Sequence, residues 1–189
     1  MSMETAVSSA SFAEPLAIWV ASRMPVRLFG AVTLLLLGAA ALGGTPTATW
    51  TLAALPTALV LLFQFRLWDD LADAPTDRVA HPERYLPRCA STAPFRAALG
   101  VAALSGLMAI FLLSGLAGAA GLAALNLVFA AWYARQPEVR KGMPGALLLL
   151  LKYPAFVLLL APAPRDPLLL ALACAAVYAV VCIHEWRTS

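Results

Sequence analysis

Six apolar stretches of about 20 residues each, at 25–43, 50–68, 95–115, 116–133, 145–161 and 167–184, leave this chain few ways to fold. A bilayer core about 30 Å thick is spanned by roughly 20 residues of helix, and in lipid every backbone donor and acceptor must be satisfied within the segment or in a closed barrel. Barrel strands alternate apolar and polar residues, whereas these runs are continuous Leu, Ala and Val, so the pattern predicts an all-α bundle of about six membrane helices. Only 12% of the residues are charged, about half the share of an ordinary soluble domain. The third and fourth runs meet at Gly115 to Gly118, which predicts a very tight turn there.

Charge orients the bundle. With both termini and the even-numbered loops placed in the cytoplasm, eleven of the thirteen Lys and Arg residues fall on that side, Arg165 lies alone on the other, and Lys152 sits inside the fifth run. The positive-inside rule therefore predicts an integral protein of a bacterial-type inner membrane with both ends cytoplasmic. The basic balance reports orientation, and no nucleic-acid partner is expected. Residues 1–24 read as a cytoplasmic lead-in with a short interfacial segment, without the proportions of a secretory signal, and 25–189 as the membrane domain with an acidic cytoplasmic loop at 69–94. Cys89, Cys174 and Cys182 have no pairing or metal-ligand spacing and read as apolar filler.

Four of the ten acidic residues, Asp69, Asp70, Asp73 and Asp77, lie within nine positions of that loop. If the second helix runs on to about Ala74, before Pro75 disturbs it, Asp70 and Asp73 share a face with Asp69 beside them. Two carboxylates about 5 Å apart repel by roughly 3 kcal/mol at an effective dielectric near 20, and a helix C-terminus adds to that cost. A divalent cation reverses the sign, because Mg²⁺ is commonly held by one or two carboxylates together with substrate phosphate oxygens. The competing reading is a solvated acidic loop neutralised by nearby arginines.

Asp69-Asp70-x-x-Asp73-x-x-x-Asp77 at the end of the second helix resembles the first aspartate-rich motif of the UbiA superfamily of intramembrane prenyltransferases. Downstream, Glu83-Arg84-Tyr85-Leu86-Pro87 is similar to the family's Arg-Pro-Leu element with Tyr85 in place of proline. Tyr133, Pro137, Arg140 and Lys141 look like the tyrosine, proline and basic residues that follow the family's fourth helix. The resemblance implies a Mg²⁺-dependent transfer of an isoprenyl group from a diphosphate to an aromatic or other apolar acceptor. Asp69, Asp70, Asp73 and Asp77 would hold metal, with Asp70, Asp73 and Asp77 carrying the catalysis. Arg84, Arg140 and Lys141 would stabilise the departing diphosphate, and Tyr133 and Lys152 would contribute to substrate binding.

The chain departs from the family after its sixth run. Members usually have about nine helices and a second aspartate motif after helix six, where this chain has Cys182-Ile183-His184-Glu185. That leaves a reduced enzyme, a form completed by a homo-oligomer or second subunit, or a non-catalytic scaffold or isoprenoid-binding relative. The aspartate spacing lacks the Ala-Arg pair and the glycine of membrane CDP-alcohol phosphotransferases, and no internal repeat marks a carrier.

Lys152 inside an apolar run costs at least about 2.5–3.5 kcal/mol unless it meets a partner, so it is expected to face protein or a polar cavity. Asn126 reads as a hydrogen-bonding link between helices, and Pro56 and Pro154 as kinks. His81 and His184 are too isolated to suggest a zinc site.

Overall fold

The computed structural model describes residues 13–135, 143–163 and 165–188, and its ordered elements are helices joined by short connections. In chain order they are α1 (Ala13–Arg23), α2 (Val26–Leu42), α3 (Ala48–Ala80), the single turn α4 (Tyr85–Arg88), α5 (Ala93–Tyr133), α6 (Met143–Leu150), α7 (Lys152–Leu160) and α8 (Pro167–Thr188). α3, α5 and α8 are long and apolar enough to cross a membrane, α1 and α2 pass the same test together across a 75° bend, and 145–160 forms a shorter apolar pair. The helical bundle is thus compatible with an integral membrane protein. Its outer surface agrees: Leu34, Leu52, Leu112 and Leu116 are each more than two thirds exposed, a face suited to lipid and costly in water.

Local chemistry sets the helix limits. Thr47 caps α3 by accepting a bond from the Trp50 amide at 3.1 Å, and Asp166 caps α8 by accepting from the amides of Leu168 and Leu169 at 2.9 and 3.0 Å. Pro154 has no N–H to offer the Leu150 carbonyl, and the chain breaks at Leu151 between α6 and α7. At Gly115 (φ 68°, ψ −164°) α5 leaves helical geometry, in a region open essentially to glycine alone. The two halves of α5 then fold back on each other, since a Cβ at Gly106 would lie 3.7 Å from Leu122. The tight turn expected there is present.

The two ends of the bundle differ. At one end the α2–α3 and α7–α8 connections interlock. Gly44 pairs with Arg165 in an isolated bridge, the Trp50 indole donates to the Leu160 carbonyl at 2.8 Å, and a Cβ on Gly44 would collide with the Pro162 carbonyl oxygen at 2.2 Å. Arginine and aspartate side chains gather at the other end. The main core between them is built from Leu36, Ala40, Leu61, Phe65, Phe129 and Phe156. Inside it Gln64 donates to Asn126 at 2.8 Å, the interhelical link expected of Asn126.

α3 departs from expectation. It continues past Pro75 to Ala80, so much of the segment read as an acidic loop is helix, and the connection shortens to the residues around α4. The missing Pro75 N–H costs about 3 kcal/mol in a helix interior. The extra turns offset it by burying Asp77, which is held by Arg84 at 2.7 Å and whose carbonyl accepts from the His81 amide at 2.8 Å.

Candidate functional site

The final turns of α3 carry the acidic residues to different basic partners. On the first side, Asp69 is half-buried and faces the bundle interior, where one carboxylate oxygen accepts from the Tyr133 hydroxyl and the other from the Lys152 ammonium. Lys152 is only 6% exposed, so the charge that the fifth run carries is met by a carboxylate from α3. On the second side, Asp70 is 7% exposed and is bound by α1: Arg23 donates to both carboxylate oxygens at 2.8 Å and the Trp19 indole donates at 2.9 Å. Arg66, one turn earlier on α3, adds an ion contact to Asp70 at 3.3 Å. Two turns further on, buried Asp77 pairs with Arg84, and Asp73 lies exposed between them.

A cavity of about 520 Å³ opens beside Asp69. Its body is apolar, formed by residues such as Phe29, Leu35, Leu62, Phe65 and Phe156, with the Phe65 and Phe156 rings 5.2 Å apart. Its mouth is polar, with Arg23, Arg66, Asp69, Lys152, His184 and Glu185 around it. An apolar compartment bordered by cationic and anionic side chains suits an amphiphile with a charged head. The Nε of Arg66, a residue of the cavity lining, is buried and has no hydrogen-bond partner among the described residues.

Of the residues singled out by sequence, Asp69 and Lys152 line the cavity, Tyr133 reaches it through Asp69, and Glu185 stands on the same wall system. Asp70, Asp77 and Arg84 border a small crevice with Trp19 and Leu86 instead. Arg140 and Lys141 lie outside the described residues. Among the described residues no three His, Cys, Asp or Glu side chains are grouped so that they could hold a single metal ion. An ion carried in on a diphosphate needs fewer protein ligands, and Asp69 and Glu185 are the two carboxylates on the cavity wall.

Trp19, Arg23 and Arg66 are functional candidates that sequence reasoning passed over. Trp19 and Arg23 fell in the lead-in, and the two arginines counted only toward orientation. The available signal was spacing: Trp19 and Arg23, like Arg66 and Asp70, stand four residues apart and project from one helix face. What they meet across the fold is 47 to 51 residues away in sequence.

No protein-family model, curated protein or solved structure matches the chain.

Proposed function

We propose that the chain is a six-span, UbiA-like membrane protein that binds an isoprenyl diphosphate in the cavity beside Asp69 and transfers its prenyl group to an apolar or aromatic acceptor. The observation that carries this reading is a cavity that joins an aromatic-lined apolar body to the charged side chains of Arg23, Arg66, Asp69, Lys152 and Glu185. Six crossings follow when α5 is counted as two spans divided at Gly115, and α6 with α7 as one. The basic end then faces the cytoplasm by the positive-inside rule.

On this reading the tail lies against Leu62, Phe65 and Phe156 and the head meets Arg66 and Lys152. Asp69 orients the Lys152 ammonium toward the mouth. Breaking the bond between carbon and the diphosphate oxygen sends its electron pair to the leaving group, so negative charge grows where the arginines and the lysine are fixed. The allylic cation left behind lies beside the aromatic lining until an acceptor carbon attacks it and releases a proton to the departed diphosphate. Asp69 and Glu185 are the cavity residues that would hold Mg²⁺, which would supply further charge neutralisation.

A second reading, binding without turnover, is favoured by the commitment of Asp69, Asp70 and Asp77 each to its own basic partner. Titrating the detergent-solubilised protein with farnesyl diphosphate and then assaying transfer to a panel of phenolic acceptors separates the two. Binding with transfer supports the enzyme, and binding without transfer the second reading. Arg66→Gln and Lys152→Gln are each expected to weaken binding about tenfold or more, the usual weight of a charge-assisted hydrogen bond. Absence of binding by the unaltered protein, with Mg²⁺ and without it, overturns both.

A further inference from the structure

Asp70 occupies the second position of the aspartate motif, the place from which a metal ligand would be expected, yet it turns away from the cavity. Both its oxygens are engaged by Arg23 in a two-point fork at 2.8 Å, with the Trp19 indole at 2.9 Å and Arg66 at 3.3 Å. Arg23 comes from α1 and Arg66 from α3, and both residues line the cavity that Asp70 itself does not line. A buried carboxylate between them offsets the repulsion that would otherwise drive two cations apart at such close quarters. It also fixes their planes, because a bidentate fork sets geometry as well as charge.

The unpaired Nε of Arg66 indicates where this arrangement is incomplete. A buried guanidinium donor without an acceptor is costly, and an anionic oxygen that entered from the cavity and displaced the cover of this Nε would satisfy it. We infer that Asp70 is a positioning residue that holds Arg23 and Arg66 as a paired clamp, and that this clamp grips the phosphoryl head of the ligand directly, without a metal between them. The inference rests on the cavity being the ligand site, and adds that part of head-group recognition is independent of Mg²⁺.

A double-mutant cycle tests it. Farnesyl diphosphate binding is measured by calorimetry on detergent-solubilised protein, in EDTA and in Mg²⁺, for the unaltered chain, Asp70→Asn, the pair Arg23→Gln with Arg66→Gln, and the triple variant. Thermal unfolding of each reports whether it is folded. The clamp predicts substantial binding in EDTA, a loss of about tenfold or more in Asp70→Asn of equal size with and without Mg²⁺, and no further loss when Asp70→Asn is added to the arginine pair. Arg23→Lys, which keeps the charge and loses the fork, should recover only part of the affinity lost in Arg23→Gln.

If the unaltered protein binds only with Mg²⁺, and Asp70→Asn merely reproduces the effect of EDTA, Asp70 is a metal ligand; the clamp is refuted while the cavity reading stands. If Asp70→Asn lowers affinity equally with and without the two arginines, Asp70 does not act through them. If Asp70→Asn fails to fold, the arginine pair and Arg23→Lys still decide the matter through binding in EDTA, which they must diminish. No binding by the unaltered protein in any condition removes the cavity reading and the clamp with it.

Discussion

The Lys152 ammonium and the Asp69 carboxylate illustrate how much depends on single side chains in this bundle. A lysine 6% exposed inside an apolar segment is tolerable only because α3 brings a carboxylate to it and Tyr133 occupies the other oxygen. Removing one partner of a buried pair leaves an uncompensated charge and costs about 3–5 kcal/mol, whereas replacing both with apolar groups is often neutral. Asp69→Ala is therefore expected to lower the melting temperature in detergent by about 6–20 °C for a chain of this length. Asp69→Leu combined with Lys152→Met should recover most of that loss in the same measurement. If Asp69→Ala melts with the unaltered protein, the pair contributes nothing to the fold.

The helices show which features sequence could carry. Apolar runs and their ends were legible because they follow from local chemistry: α2 and α8 begin and end close to the expected limits, and the break at Gly115 falls where the glycines placed it. The end of α3 was not legible. Pro75 predicts a stop, and the compensation comes from Arg84, seven residues beyond Asp77, and from packing against Trp19 and Phe95, which are far off in sequence. The site fared likewise: four aspartates at helical spacing stood out, but their division among Lys152, Arg23 and Arg84 depends on where α1 and α7 pack. Gly115 offers a sharp test at this scale. Its φ of 68° with ψ near −164° admits a side chain only at a cost of about 1–3 kcal/mol, so Gly115→Ala should destabilise the protein by that amount. Gly100, helical and with nothing within 4 Å of an added Cβ, should tolerate Gly100→Ala and gain about 0.5–1 kcal/mol. Paired unfolding curves in detergent measure both.

For the molecule as a whole, the break in α5 is what the proposed topology turns on. A continuous helix of 41 residues would be about 60 Å long, twice the hydrocarbon thickness, and could not lie across the bilayer without carrying one half into water. Folding the two halves together makes each about one bilayer in length and returns Tyr133 to the end where Asp69 lies. The same reversal brings Ser114 against the Leu159 carbonyl at 2.9 Å, joining it to the end that holds Gly44 and Arg165. The six crossings proposed above place the α4 connection on one side of the membrane and the α2–α3 and α7–α8 connections on the other. In a background lacking Cys89, Cys174 and Cys182, Ser91→Cys should react with an impermeant maleimide from the cytoplasmic face of oriented vesicles, and Thr45→Cys and Ala163→Cys from the opposite face. All three positions are exposed, so burial does not limit the reaction. Labelling of Ser91→Cys and Thr45→Cys from the same side would mean that α3 does not cross.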